Sequence, residues 1–206
     1  MLFSWAIIFS HPGDYTAVCT TELSRVEQLY KEFNRRAVKL IALSCDSVES
    51  HHGWIKDIMA YGNFSYPLLS YPIIADPSRD IAKLYGMLDP DAKDAKGIPL
   101  TCRYIPIYVR QPLLYNFRAV FIVGPDKRLK LSLLYPATTG RNFDEILRVI
   151  DSLQLTATRQ VATPVDWKQG DSCMLVPGVK QEDVGMMFPK GVKIHKVPSG
   201  KVNLSV

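Results

Sequence analysis

The organisation of this chain is clearest in residues 5–23, which read WAIIFSHPGDYTAVCTTEL. Its first part, Trp5–Phe9, is a short uninterrupted apolar run, which is typical of a buried strand. A segment containing Pro and Gly follows, and an amphipathic helix then begins near Cys19. Functional sites of α/β sheets form between the carboxyl end of a strand and the next helix. The sequence therefore predicts a site within residues 9–23.

Strand and helix patterns alternate beyond this segment. Val26, Leu29, Tyr30 and Phe33 are spaced to share one face of a single helix. Further elements are predicted as a buried strand at 38–43, a helix capped by Ser47 with Trp54, Ile55 and Ile58 inward, a strand at 73–74, a helix at 81–84, strands at 119–123 and 129–133, and a helix opened by Asn142. This alternation predicts an α/β fold with a central, partly parallel sheet flanked by helices.

The last part of the chain has a different texture. Prolines and glycines interrupt it at Pro164, Pro177-Gly178, Pro189 and Pro198, so a long helix is not expected there. We therefore predict a first domain at residues 1–156 and a small appended domain of strands and loops at residues 157–206.

Composition excludes several classes of protein. The 206 residues include 25 Lys and Arg against 20 Asp and Glu, and this net charge of +5 is scattered, so we expect no nucleic acid partner. The apolar amino terminus is too short to span a bilayer, and we expect no integral membrane contact. The four cysteines are far apart, which argues against a zinc site or a disulfide scaffold and favours a reduced compartment.

Cys19 is the candidate nucleophile. In the first turn of a helix, unpaired backbone N–H groups and the positive end of the dipole favour a thiolate, which is the nucleophilic form. Thr16 can present a hydroxyl to the same place, and Pro12 restricts the loop. The alternative is that Cys19 is an inert buried side chain. The local pattern leaves both interpretations open.

A family resemblance favours the reactive interpretation. The pattern Pro12-x-x-x-Thr16-x-x-Cys19 resembles the active-site motif of the peroxiredoxins, and the longer string is similar to the one-cysteine (1-Cys), peroxiredoxin-6-like subfamily. Five further stretches resemble that subfamily, in the same order along the chain: residues 39–44, 86–90, 124–127, 135–142 and 162–168. The resemblance implies a thioredoxin-like peroxidase domain and a C-terminal peroxiredoxin domain, with no cofactor and no metal ion.

The resemblance also implies roles for individual residues. Cys19 attacks hydrogen peroxide or an organic hydroperoxide, including a lipid hydroperoxide, and becomes a sulfenic acid. Thr16 hydrogen-bonds the peroxide, and Pro12 shields the site. The arginine that the family places beside the cysteine is matched by Arg118, just before the strand 119–123.

Three further side chains support this group by resemblance. Glu22 and Arg141 would orient it, and His11 resembles a family histidine implicated in the site. The alternative for Glu22 and Arg141 is a pair of solvated charges. Arg103 also competes with Arg118 for the catalytic place, because residues 104–117 form an insert that relatives do not have. We prefer Arg118, since a strand fixes the direction of its side chains.

Reduction of the Cys19 sulfenic acid back to the thiol is predicted to use an external thiol. The resolving cysteine of two-cysteine relatives is replaced by Thr163, and the subfamily draws on glutathione with help from a glutathione S-transferase. We interpret Cys45 as core filler, and a resolving role for Cys102 or Cys173 is the less favoured hypothesis. The resemblance further implies a homodimer in the cytoplasm.

Other functions remain alternatives at this point. The subfamily's phospholipase A2 activity needs a Gly-x-Ser-x-Gly motif, of which only Ser4 remains, with Asp126 as the matching acid. Relatives also carry more residues before the strand at Trp5, and a shortened sheet would expose an edge. A shortened chain could serve as a non-catalytic redox scaffold or holdase chaperone. A thiol–disulfide oxidoreductase is disfavoured because Cys19 has no neighbouring cysteine.

Overall fold

The computed structural model describes residues 4–87, 89–93, 99–100, 118–136, 138–179, 181–189, 191–196, 198–199 and 202–206. The chain divides into two compact units, residues 1–143 and residues 144–206. The predicted domain boundary at 156/157 falls in the last turn of helix α5 (Phe143–Thr158), and that division stays a prediction. No helix in the described part of the chain is both long and apolar enough to cross a membrane.

Unit 1 is built on a five-stranded sheet. Its strands are β1 (Trp5–Ser10), β2 (Val38–Ser44), β3 (Ile73–Ala75), β6 (Arg118–Val123) and β7 (Leu129–Tyr135). They are ordered β3-β2-β1-β6-β7, with β1 to β3 parallel and β6 and β7 antiparallel to their neighbours. Strands β4 (Asp89–Lys93) and β5 (Pro99–Leu100) form a separate antiparallel pair. This mixed sheet, flanked by helices, confirms the predicted α/β, thioredoxin-like fold.

The helices of unit 1 are α1 (Ala17–Gln28), α2 (Tyr30–Arg35), α3 (Val48–Tyr61) and α4 (Asp80–Leu84). The single helix predicted through Leu29 is wrong, because Leu29 leaves helical geometry with ψ near 3° and separates α1 from α2. Val26 and Phe33 are nevertheless both buried. Periodicity reports the buried face, and a one-residue break that preserves this face leaves no trace in the pattern.

The core and strand register of unit 1 determine where the candidate site lies. Ile7 and Phe9 of β1 are buried, and Trp54 and Ile58 of α3 are buried as predicted. Because β6 is antiparallel to β1 and Phe9 lies opposite Val120, the beginning of β6 lies beside the end of β1. The register therefore brings Arg118 to the edge of the sheet where the segment 11–16 begins.

Unit 2 contains α5, a second helix α6 (Gln181–Met187), and four short strands, β8 (Val161–Ala162), β9 (Met174–Leu175), β10 (Lys193–Lys196) and β11 (Val202–Ser205). The strands form one antiparallel sheet in the order β10-β11-β9-β8. Helix α6 corrects the expectation of strands and loops alone. Its seven residues fit between the turn at Pro177-Gly178 and Pro189, so the prolines and glycines bound it rather than exclude it.

Candidate active site

Cys19 lies in the first turn of α1 and is fully buried. Thr16 is the N-cap residue of this helix, with extended backbone, and its hydroxyl donates to the carbonyl of Gly13 at 3.0 Å rather than capping the helix. Thr16 is exposed, and Pro12 is half-buried. The sulfur is therefore near backbone N–H groups at the positive end of the α1 dipole, below a loop whose surface reaches solvent.

Arg118 contacts the sulfur directly. Its Nη1 donates to Cys19 Sγ at 2.9 Å, and the side chain is almost completely buried as the first residue of β6. The neighbouring Ala119 fixes the start of this strand, because its N–H donates to Ser10 Oγ at 3.2 Å. The arginine expected from the sequence is thus brought to the sulfur, while Arg103, Cys102 and the insert at 104–117 lie outside the described residues.

Glu22 lies one helical turn after Cys19 and joins the two arginines. Its carboxylate accepts from Arg118 Nη1 at 2.6 Å, and from the backbone N–H, Nε and Nη2 of Arg141 at 2.7, 3.0 and 2.8 Å. Burial alone raises the pKa of Glu22, but the charge and hydrogen bonds of Arg141, followed by Arg118, outweigh it and lower the pKa. Glu22 is therefore ionised, and it is not a solvated charge.

Arg141 is buried in the same cluster. Its Nη1 donates to the carbonyls of Ser10 and Ala119 at 3.0 and 3.1 Å, which links the end of β1 to the start of β6. Its guanidinium carbon also lies 5.5 Å from the centre of the Phe9 ring. The alternative of two exposed, solvated side chains is therefore wrong for Arg141 as well.

His11 follows β1 and is fully buried. Its Nε2 lies 2.9 Å from Asp14 Oδ1, and its ring centroid is 4.9 Å from that of Trp54. Burial lowers the pKa of His11 and outweighs the opposing hydrogen bond to Asp14. His11 is accordingly a neutral imidazole that braces the loop after β1.

Asp14 is a site-adjacent residue that the sequence did not single out. Its Oδ2 accepts from Ser50 Oγ at 2.7 Å and from His51 Nδ1 at 2.6 Å, both on α3. Burial alone would raise the pKa of Asp14, but its hydrogen bonds to His11 and His51 outweigh burial and lower the pKa. Asp14 is therefore a carboxylate, and both facing ring nitrogens must be N–H donors.

The same cluster has the donor types of a cation site. Ligand atoms of His11, Asp14 and Asp46 lie within 4.8 Å of one another. Hydrogen bonds already hold these atoms, since Asp46 Oδ2 accepts from the N–H of Asp14 at 3.0 Å and from Ser44 Oγ at 2.8 Å. A hydrogen-bonded network accounts for this cluster.

The phospholipase candidates Ser4 and Asp126 do not lie beside Cys19. The register of β1 and β6 puts Ser4 and the turn containing Asp126 at the same end of these strands, opposite to the end where His11 follows β1. Asp126 is paired with Lys130 at 2.6 Å, which lowers its pKa. The chain has four histidines. Of these, His11 follows the opposite end of β1, and it therefore cannot act together with Ser4 and Asp126.

The remaining described cysteines are free thiols. Burial raises the pKa of Cys45 to about 11, and this residue packs beside a buried apolar cluster, as its interpretation as core filler requires. Burial also raises the pKa of Cys173, which packs with Val161 and Trp167 in unit 2. Thr163 Oγ1 lies 2.6 Å from Ser152 Oγ.

Comparison with known proteins places this geometry in a family. The chain matches the AhpC/TSA family over residues 3–132 and the C-terminal domain of 1-Cys peroxiredoxin over residues 152–190. Peroxiredoxin-6 of Rattus norvegicus is 58% identical over 199 residues, which cover 96% of this chain and 82% of that protein. Peroxiredoxin-6 of Homo sapiens is 58% identical over 200 residues, with the same shares covered.

Solved structures similar to this chain belong to the same family. A crystal structure of peroxiredoxin 6 from Arenicola marina superposes with a TM-score of 0.86 at 53% identity, covering 98% of this chain and 85% of that one. A yeast mitochondrial 1-Cys peroxiredoxin, described with a thiol resolving mechanism via glutathione and thioredoxin systems, has a TM-score of 0.78 at 36% identity. It covers 98% of this chain and is itself covered to 86%.

The thioredoxin-like sheet and these matches define a peroxidase that works through a cysteine thiol. The chain belongs to the AhpC/TSA family and, within it, to the 1-Cys peroxiredoxins. It is therefore an oxidoreductase that reduces peroxides at the expense of thiol reductants, in a family that often forms dimers.

Proposed function

We propose that Cys19 is the peroxidatic nucleophile and that Arg118 is the cation that assists it. The observation that carries this assignment is the contact of 2.9 Å between Arg118 Nη1 and Cys19 Sγ inside a buried cluster. A charged donor at this distance interacts more strongly with an anionic sulfur than with a neutral thiol. The same guanidinium faces the place where negative charge develops on the departing oxygen.

The oxidation step is balanced without a cofactor. The Cys19 thiolate attacks the terminal oxygen of the hydroperoxide, so an S–O bond forms while the O–O bond breaks. The sulfur is oxidised to a sulfenic acid, and the peroxide is reduced to an oxyanion. This oxyanion takes up the proton that the thiol released and leaves as water or an alcohol.

Thr16, Pro12 and His11 complete the proposed site. The Thr16 hydroxyl donates its proton to the Gly13 carbonyl, so the oxygen is available to accept a hydrogen bond from the O–H of the peroxide. Pro12 shields the sulfur from bulk water. His11 supports the loop through Asp14 and Trp54 rather than exchanging protons with the peroxide, since it is neutral and buried.

Glu22 and Arg141 are positioning residues in this proposal. Glu22 holds Arg118 through a salt bridge of 2.6 Å, and Arg141 holds Glu22 by three donors. A guanidinium gripped in this way stays aimed at the sulfur without reorganising during the reaction, which is the source of electrostatic catalysis.

We propose glutathione as the reductant, with a glutathione S-transferase assisting. Glutathione thiolate attacks the sulfenic sulfur and releases water, and a second glutathione breaks the mixed disulfide to give glutathione disulfide and free Cys19. The position of a resolving cysteine is held by Thr163. Cys45 and Cys173 have raised pKa values because they are buried, which makes them poor attacking thiols.

A homodimer in the cytoplasm is the assembly and location that we propose. Strand β7 is an outer strand of the five-stranded sheet, and an outer strand has one set of backbone groups available for pairing. The free thiols of Cys19, Cys45 and Cys173 are in keeping with a reducing compartment. Light scattering of the purified chain tests the dimer, and a monomeric mass at micromolar concentration would contradict it.

The test of the nucleophile is a stopped-flow assay of hydrogen peroxide consumption by the reduced chain. Cys19→Ser is expected to abolish the rapid phase, whereas Cys45→Ser, the matched control, is expected to retain it. Arg118→Met should lower the second-order rate constant by about 10²–10³-fold, the usual cost of removing one donor to a developing oxyanion. Full activity of Arg118→Met beside an inactive Arg103→Met would transfer the catalytic place to Arg103.

The test of the reductant is the intact mass of the peroxide-treated chain. We expect the mass of a sulfenic acid, then that of a mixed disulfide when glutathione is added. A loss of two hydrogen masses without added thiol would instead reveal an internal disulfide, and it would overturn the requirement for an external thiol.

A further inference from the structure

Unit 2 contains a cavity of about 910 Å³, and none of the residues placed in the peroxidase site lines it. Its lining belongs entirely to unit 2 and comes from the end of α5, the segment 167–173, the end of α6 and the residues around β8 and β11. Pockets that bind small organic molecules have volumes of about 300–1,000 Å³. The cavity is therefore large enough for such a ligand.

The floor of the cavity is an apolar cluster in which three side chains are buried and three stay partly exposed. In that order they are Val161, Trp167, Cys173, Leu155, Phe188 and Val206. Met187, the last residue of α6, adds a more exposed apolar side chain to the wall. Apolar surface of this kind is stabilised when an apolar molecule removes it from water. The floor therefore favours a hydrocarbon group.

Arg159 adds a positive charge to the lining. It directly follows α5 and is exposed, and no hydrogen bond or ion pair holds its guanidinium within the part of the chain that the structure describes. Its charge reaches the floor, since burial raises the pKa of Cys173 and the charge of Arg159 opposes that rise. A guanidinium beside an apolar floor is suited to a carboxylate that carries a hydrocarbon chain.

Two carboxylates also line the cavity, and both already have partners. Asp171 Oδ2 accepts from the backbone N–H of Lys168 at 2.8 Å, and Asp151 has a polar or electrostatic contact of its own. Among the charged groups of this lining, Arg159 is the one that no described residue pairs directly. This difference favours an anionic ligand over a cationic one.

We propose that the cavity of unit 2 binds an anionic amphiphile, namely an aliphatic chain that ends in a carboxylate, with the chain on the apolar floor and the carboxylate at Arg159. A long-chain fatty acid is the simplest molecule with this chemistry. The site is separate from the peroxidase chemistry, because no reacting group lines it.

Calorimetric titration of the full chain with dodecanoate, below its micelle concentration, tests the proposal. Decanoate, which is shorter by two CH₂ groups, should bind about 15-fold more weakly, since each buried CH₂ strengthens binding by about fourfold. Dodecylammonium has the same chain with a positive head group, and it should bind more weakly than dodecanoate.

Substitutions at the wall and at the charge locate the binding. Met187→Glu places a carboxylate in the wall and should weaken dodecanoate binding by about tenfold or more. Its matched control is Met186→Glu, because Met186 is the neighbouring residue, is more exposed and does not line the cavity. Arg159→Glu should reverse the order of dodecanoate and dodecylammonium. Arg128→Glu, at an exposed position just before β7, makes the same change of net charge and should keep the order.

Equal binding of dodecanoate to Met187→Glu and Met186→Glu would mean adsorption elsewhere on the surface, and it would overturn the site. A preference of the wild type for dodecylammonium would overturn the ligand class. Absence of dodecanoate binding would overturn both, and a changed mass of Met187→Glu in light scattering would then assign the cavity to a contact between two copies of the chain. Cys19→Ser should bind dodecanoate as the wild type does, so these outcomes are distinct from failure of the proposed peroxidase function.

Discussion

Glu22 provides the sharpest test of how the buried cluster is built, through the substitution Glu22→Gln. The change keeps the size of the side chain and removes its charge. Four donors reach the carboxylate within 3.0 Å, three from Arg141 and one from Arg118. Removing one partner of a buried ion pair costs about 3–5 kcal/mol of the free energy of unfolding, because the arginines are left uncompensated by Glu22.

The same substitution should slow the reaction with peroxide. Without the charge of Glu22, the guanidinium of Arg118 is held less firmly beside Cys19 Sγ, and a misplacement of about 1 Å costs about 10²-fold in rate. The matched control is Glu27→Gln on the same helix. Glu27 is also buried, but it accepts from Tyr66 Oη, Ser70 N and Ser70 Oγ, away from the sulfur.

Urea unfolding and stopped-flow oxidation are measured for both variants. Glu27→Gln should lose about 1.5–3 kcal/mol, as expected for a hydrogen bond to a charged group, and keep the wild-type rate. The pKa of Glu22 is lowered in the folded chain, so its contribution is present above its unfolded pKa of about 4.3 and is lost as the pH falls below it. A wild-type rate in Glu22→Gln, or equal losses of stability in the two variants, would refute this reasoning.

Three further outcomes are expected. A Cβ at Gly53 would collide with Tyr15 Oη, so Gly53→Ala should stabilise the fold by less than the usual gain of about 1 kcal/mol for replacing a helical glycine. Adding Tyr15→Phe should restore that gain, as measured by thermal unfolding. Additive effects of the two substitutions would contradict the contact. The pKa of Asp14 is lowered, so Asp14→Asn should be less stable than wild type at neutral pH, and the difference should narrow below about pH 4; a constant difference in urea unfolding would contradict this. Thr163→Val should lose about 1 kcal/mol with its hydrogen bond to Ser152 and leave the need for external thiol unchanged, whereas loss of that need would contradict the proposed recycling.

The parts of the site that are close in sequence could be predicted from it. Pro12, Thr16 and Cys19 form one motif, and Glu22 follows Cys19 at a helical spacing that puts both on one face of α1. The helix break at Leu29 could not be predicted, because it leaves the buried face intact. Helix α6 was not predicted for a different reason: the prolines and glycines that bound it were interpreted as marking loops.

Contacts between distant segments left no such signal. Asp14 lies within the motif region, but His51 is 37 residues further along the chain, and no spacing rule connects a loop carboxylate to the first turn of another helix. Trp54 was predicted to point inward because it is apolar. Its indole N–H, which holds Thr20, is a polar function that hydrophobic periodicity does not report.

Arg118 lies between these two cases, because its position is decided by strand register rather than by a motif. A slip of one residue would turn its side chain to the opposite face of the sheet. Both backbone groups of the next residue oppose such a slip, since Ala119 N–H donates to Ser10 Oγ and its carbonyl accepts from Arg141 Nη1. Ser10 also ends β1, and Arg141 also grips Glu22, so the contacts that hold the register are the contacts that assemble the site. The geometry at the sulfur is therefore specified from within β1, β6 and the segment at Arg141.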